Sequence, residues 1–190
     1  MKVPFSLFTV SLVCAVCISC ENPADLTADA EVGPALEKAV DSGPDGAAKW
    51  AFMENSYIEF TGSKVNGGTQ VGRFTNISGH FTIKDGEPVG NDHKVEIDMN
   101  SITTEKEKLT AHLKNDDFFD VPSHPISSYD VTSIKKTGEG QYDITGNLTM
   151  KGKTNSVTFS STVVRSETTV AIRAKFCLLY TSPSPRDATL

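Results

Sequence analysis

The sequence predicts a mainly β protein, an antiparallel up-and-down barrel with one helix inserted mid-chain. Three observations carry this expectation. Apolar residues recur with a period of two through almost all of residues 49–176, the spacing of half-buried strands. Turn signals such as Gly67-Gly68, Asp85-Gly86 and Gly138-Glu139-Gly140 separate the alternating runs, so successive strands are antiparallel neighbours. One stretch, Ser101 to Pro125, breaks the period and reads as a helix followed by an aromatic plug.

The first run, Ser56 to Thr61, sets Tyr57 against Ile58 and Phe60. Phe74 to Lys84 carries Ile77, Gly79, Phe81 and Ile83 on one face, and Asp85-Gly86 with Pro88 ends it. Lys94 to Ser101 turns Val95, Ile97 and Met99 inward, with Lys94, Glu96, Asp98 and Asn100 outward. In the helical stretch, Thr104 and Glu107 have the spacing of a capping box, which predicts a hydroxyl cap on an orphan amide. Leu109 and Leu113 then lie on one face, and Phe118-Phe119 precedes the turn made by Pro122 and Pro125.

The run Ile126 to Lys136 is less regular, with Tyr129 and Val131 opposed to Ile126 and Ile134. Gln141 to Met150 aligns Tyr142, Ile144, Leu148 and Met150, and Asn155 to Val164 aligns Val157, Phe159 and Val163. Thr168 to Phe176 adds Val170, Ile172, Ala174 and Phe176. That makes about seven strands, one short of the eight or so with which small soluble up-and-down barrels close.

The two ends read differently from the middle. Met1 to Ser19 has the form of an export signal: Lys2, an apolar run from Phe5 to Val16, then small residues. Cys17-Ile18-Ser19-Cys20 resembles a bacterial lipobox, with Cys17 where leucine is usual. Cleavage before Cys20 would leave that cysteine lipidated, and each buried acyl methylene contributes about 0.8 kcal/mol of membrane affinity. Residues 20–48 are acidic and rich in Ala, Gly, Pro and Asp, a composition expected of a flexible tether. At the other end, Cys177 to Asp187 resembles, codon for codon, the translation of a transposase-type sequencing adapter. The expectation is a barrel domain over 49–176, truncated at its C-terminus, with 177–190 an adapter-derived artefact.

Composition narrows the chemistry. A net charge of −6 argues against nucleic acid as a partner. None of His80, His93, His112 and His124 has metal-ligand spacing with another histidine or a cysteine, so no metal site is expected. Asp116, Asp117 and Asp120 lack the spacing of a calcium loop, and no base or nucleophile is placed beside them. No catalytic residue is assigned and the chain is read as a non-enzyme. An outer-membrane barrel would also alternate, but the mid-chain helix, the lipobox and the scarcity of Trp (1) and Tyr (4) for two aromatic girdles favour a soluble barrel with an apolar lumen.

Several ordered motifs resemble one family. Gly72 with Phe74, Asn100-Ser101-Ile102-Thr103, His112-Leu113-Lys114, Asp117-Phe118-Phe119-Asp120 and Pro125 match YceI-like proteins. So does Gly146-Asn147-Leu148-Thr149-Met150-Lys151-Gly152-Lys153-Thr154, which resembles that family's Gly-x-Leu-Thr-x-x-Gly-x-Thr hairpin. The resemblance implies a lipocalin-like barrel whose lumen holds a polyisoprenoid chain or other long lipid. It departs in lacking the family's last stretch.

The resulting expectation is non-catalytic binding of a long isoprenoid or similar lipid in an apolar lumen. The lumen candidates are Ile77, Phe81, Ile83, Val95, Ile97, Met99, Tyr142, Ile144, Leu148, Val157, Phe159, Val163 and Ile172. Leu109, His112, Leu113, Phe118 and Phe119 form the lid or mouth. An apolar tube suits such a tail because burial contributes about 25 cal/mol per Å². No cofactor is implied beyond a bound isoprenoid lipid or quinone. Cys20 would hold the protein at a membrane, on the periplasmic face or cell surface, and a homodimer is compatible with this reading. The rivals are a lipid-modifying enzyme or isomerase working at the mouth near His112, and a structural surface lipoprotein with a filled core.

Overall fold

The computed structural model describes residues 28–63, 69–165 and 169–176. Among them the strands are β1 (Glu31–Pro34), β2 (Ala48–Ala51), β3 (Ile58–Ser63), β4 (Thr69–Phe74), β5 (Ile77–Lys84), β6 (Glu87–Pro88), β7 (Lys94–Asp98) and β8 (Ile102–Thr104). Helix α1 (Glu107–Lys114) is followed by β9 (Ile126–Gly138), β10 (Gln141–Met150), β11 (Lys153–Arg165) and β12 (Val170–Ala174). The export signal, Cys20, the Gly67-Gly68 turn and the adapter-like tail lie outside the described residues.

The mainly β, antiparallel reading with one mid-chain helix holds. One sheet runs β1-β11-β10-β9-β7-β5-β2, with β12 also on β11 and β6 also on β5; a second sheet runs β3-β4-β8. The seven predicted strands correspond to the longer elements, and five short ones were not separated by the alternation. Two predicted runs are cut. Thr75-Asn76 divides β4 from β5, and a 3-10 turn at Met99–Ser101 ends β7 and opens β8. The Asp98 carboxylate explains the second break, since it accepts the Asn100 N–H at 2.9 Å and so stabilises a turn over an extended strand.

The predicted capping box is not formed. The residue at the helix N-cap is Lys106, with no side-chain cap hydrogen bond. Thr104 lies two residues too early to cap and instead pairs with Thr110: its N–H donates to Thr110 Oγ1 at 3.0 Å, and the two hydroxyls are 2.9 Å apart. The hydroxyl of Thr110, not the carboxylate of Glu107, folds the helix back onto β8.

Residues 28–48, expected to belong to the tether, carry β1 and are stitched to the sheet. Asn147 binds Leu36 reciprocally, accepting its N–H at 2.8 Å and donating to its carbonyl at 2.7 Å. Asn91 does the same for Asp41 N–H (2.7 Å) and the Ala39 carbonyl (2.9 Å). Val32, Leu36 and Val40 are exposed, and Ala30 alone of this stretch is among the hydrophobics packed on a core cluster. The stretch docks through backbone groups and two asparagines, a mode that apolar periodicity does not report.

Two apolar clusters fill the interior. The first joins Phe74, Ile97, Met99, Ile102, Leu113, Phe119 and Val121 beneath α1. The second joins Tyr129, Val131, Tyr142, Ile144, Val157 and Val163 on one face of β9, β10 and β11. The irregular run in β9 has a physical cause. Gly146 pairs with Val131 but Thr145 with Ser133, so Thr132 is the extra residue of a bulge. Alternation resumes one residue out of phase, returning Ile134 to the core side opposite Ile144 while Ile126 stays outside.

Candidate ligand-binding face

The thirteen lumen candidates separate into two groups by environment. Ile83, Ile97, Met99, Tyr142, Ile144, Val157 and Val163 are buried. Ile77, Phe81, Val95, Leu148, Phe159 and Ile172 remain half-buried. The structure does not line them along one tube. Ile97 and Met99 belong to the cluster beneath the helix, with Ile77 packed against it. Tyr142, Ile144, Val157 and Val163 belong to the second cluster, with Leu148, Phe159 and Ile172 packed on it. Val95 touches both. Phe81 stands apart, edge-on to Phe52 at 5.6 Å and tilted against His93 at 5.4 Å between centroids.

On the second cluster an aromatic row runs from β9 to the residue after β12. Tyr129 and Phe159 have centroids 5.5 Å apart, and Phe159 stacks on Phe176 at 4.4 Å with a 9° interplanar angle. Tyr129 and Phe176 are absent from the sequence-derived site. The signal for Tyr129 was present in the β9 alternation but masked by the bulge. Phe176 could be placed only by the β11–β12 register.

Tyr129 braces this face. Its ring crosses β10 at Gly146, where a Cβ would sit 2.7 Å from Tyr129 Cζ, so glycine is required there. Its hydroxyl donates to the Val157 carbonyl at 2.8 Å, with the Ile144 carbonyl at 3.3 Å. Burial raises the phenol's pKa and keeps it a neutral donor. Tyr142 ends the row of inward residues on β10. Its hydroxyl is buried and makes no hydrogen bond of ordinary length among the described residues. Burial raises its pKa, and the negative charge of Glu87 acts in the same direction.

Beside Tyr142 the end of the sheet is clasped by charge. Glu87 of β6 accepts from Lys136 Nζ at 2.7 and 3.0 Å and from Arg165 Nη2 at 2.7 Å. The hydrogen bond from Lys136 holds the Glu87 carboxyl below its usual range. These contacts connect β6 with β9 and β11, which are not its neighbours in the sheet.

The lid residues divide likewise. Leu113 and Phe119 are buried within the first cluster, and Leu109 and Phe118 pack on it partly buried. His112 lies outside, its side chain about half exposed, with Nδ1 3.5 Å from Asp117 Oδ2 and its ring 6.4 Å from Phe118. His93 is the histidine drawn into the interior. Its Nδ1 accepts the Thr82 N–H at 3.0 Å and its Nε2 lies 3.3 Å from the Gly90 carbonyl, which assigns the proton to Nε2. Desolvation lowers its pKa to about 4. Nearby, Asp92 is held at about 2, first by the hydrogen bond from Lys49 at 2.8 Å and then by His80 at 2.9 Å. Among the described residues no group of three or more His, Cys, Asp or Glu side chains could hold a metal ion.

Two antiparallel sheets, with an apolar cluster on one face of β9 to β11 and another beneath one helix, make a mainly β frame of the barrel type. Residues 51–182 match the YceI-like domain. The chain belongs to the YceI-like family. It is 31% identical over 133 residues to a UPF0312 protein of Pectobacterium carotovorum, covering 68% of this chain and 69% of that protein. To a UPF0312 protein of Pseudomonas aeruginosa it is 32% identical over 111 residues, which is 58% of either chain. Among solved structures, Burkholderia cenocepacia BcnA superposes with a TM-score of 0.55 at 20% identity, covering 72% of this chain and 78% of that one. A polyisoprenoid binding domain from Saccharophagus degradans gives 0.52 at 18% identity, covering 66% and 73%. These likenesses place the fold in the lipocalin-like class.

Proposed function

We propose that the protein binds a long isoprenoid or similar lipid on the apolar face of β9, β10, β11 and β12, without catalysis. The observation that carries this reading is the incomplete burial of that face. Leu148, Phe159, Ile172 and Phe176 pack on a well-buried cluster yet are only half-buried themselves. A filled core would bury them fully, whereas an acyl or prenyl chain laid over Phe159 and Phe176 would complete their burial. Each aromatic ring offers a large apolar area, and burial of such area contributes about 25 cal/mol per Å². Family membership supports the reading, as does the fold shared with a domain described as polyisoprenoid-binding.

The same proposal takes the protein to be exported and held at a membrane through lipidated Cys20, in keeping with the signal-like residues 1–19. The test is organic extraction of the full-length purified protein followed by mass spectrometry, together with titration by an isoprenoid quinone. A co-purified lipid, or saturable quinone binding lost in Phe159→Asp, is the expected result. No extracted lipid and no quinone binding would sink the proposal.

A further inference from the structure

On the opposite face of β11 and β12 lies a cavity of about 470 Å³, whose lining includes Thr137, Gln141, Ser160, Thr162, Arg173 and Lys175. Strand register explains why these residues meet. Thr162 pairs with Gln141 on one side and Arg173 on the other, so the three side chains form a row across β10, β11 and β12. Lys175, two residues beyond Arg173, continues the same face. The apolar residues Ile172 and Phe176 point the other way, so this surface is separate from the lipid-binding face.

Elsewhere Lys49, Arg73, Lys94, Lys136 and Arg165 each form an ion pair with a carboxylate. Arg173 and Lys175 have none among the described residues, a state they share with lysines such as Lys135 and Lys153, but they line an open groove beside hydroxyl and amide groups. The nearest carboxylate in register is Asp143, whose Oδ1 accepts the Ser160 hydroxyl at 2.7 Å. That contact turns the Ser160 donor away from the cavity and leaves Thr137, Thr162 and Gln141 as neutral donors.

We propose that this cavity binds a phosphoryl group, with Arg173 and Lys175 supplying charge and Thr162 and Gln141 supplying hydrogen bonds. An arginine fork and a lysine point charge, one strand pleat apart, can each reach a different oxygen of a phosphoryl group. The volume exceeds what a bare phosphate needs, so a phosphate monoester also fits. Free phosphate and a lipid phosphate share this chemistry.

The test uses the full chain, with inorganic phosphate followed by amide chemical shifts. Shifts are expected at Thr162, Arg173 and Lys175. Because hydrogen bonds to charged groups contribute about 1.5–3 kcal/mol, Arg173→Gln and Lys175→Gln should each weaken binding roughly tenfold or more. Lys153→Gln, an exposed lysine at the far end of β11, should leave it unchanged. Both cations are exposed, so the variants should fold, and thermal melts check that they do. Flotation with phosphatidylcholine vesicles, with and without phosphatidic acid, separates the sources. Binding to phosphatidic acid vesicles that is lost in the double variant identifies a lipid phosphate; binding of phosphate alone identifies the free ion. Absence of shifts at millimolar phosphate, or shifts equally strong in the double variant, overturns the proposal.

Discussion

The two apolar clusters use the same residue types to different ends. Beneath α1, Met99, Ile102, Leu113 and Val121 are almost wholly removed from water, and Phe74 and Phe119 meet edge-on at 6.1 Å between centroids. On β9 to β12 the buried layer of Val131, Ile144 and Val157 supports a second layer, Leu148, Phe159 and Phe176, that stays half-open. The difference lies in what covers each. Helix α1 and the Phe118-Phe119 plug close the first cluster from within the chain. The second is as deeply buried at Val131, Ile144 and Val157, but among the described residues strands and the Ala30 segment pack on it where the first has a helix.

The largest effect that could break this contrast is a cavity in the closed cluster. Leu113→Ala should cost about 2–5 kcal/mol, the range for deleting a buried leucine side chain. Denaturant unfolding measures it, and a loss below 1 kcal/mol would mean that the helix merely rests on the barrel. That outcome would restore α1 to the role of a detachable lid.

A pH titration is the next largest. His93 titrates at an ordinary 6.5 when unfolded and about 4 when folded. The unfolded chain therefore binds more protons between these values, and stability falls as pH drops from 6.5 towards 4. Between pH 7 and pH 5 the loss from this group is about 2 kcal/mol. Asp92 acts in a lower window, since its depressed pKa gives stability that is lost only as pH falls from 3.8 through about 2. His93→Gln should flatten the stability curve between pH 7 and pH 5. A slope unchanged in that variant would assign the titration elsewhere.

Tyr129→Phe sharpens the comparison further. It removes the brace across Gly146 while keeping the ring, and should cost about 1 kcal/mol by thermal unfolding. A larger loss of lipid retention than of stability would show that the hydroxyl sets the position of the aromatic row. Phe159→Ala should have the smallest effect on stability, about 1 kcal/mol for a half-buried ring. It should nevertheless weaken lipid retention most. Equal losses in stability and retention would mean that Phe159 is ordinary core.

Much of this fold is visible in the residues before any coordinates. The alternation in β10 and β11 is clean because each strand buries one face only, and Tyr142, Ile144, Val157 and Val163 fall where period two puts them. The helix is legible from the spacing of Leu109 and Leu113. β9 was ambiguous because a single bulged residue, Thr132, reverses the alternation halfway along the strand. The capping box failed because Thr104 and Glu107 fit a sequence pattern, while the true helix start is set by how β8 enters α1.

The sequence by itself determined the strand-rich class, the antiparallel neighbours, the helix and most of the inward-facing residues, since these follow from local period and turn chemistry. It also carried the family motifs. Only the tertiary structure decided which inward residues are closed core and which are open wall, because burial depends on what packs above a face and not on the face's own pattern. Docking of residues 28–48, the Glu87 clasp and the juxtaposition of Arg173 with Gln141 likewise required the fold. Each joins residues far apart in sequence, through polar contacts that hydrophobic periodicity does not encode.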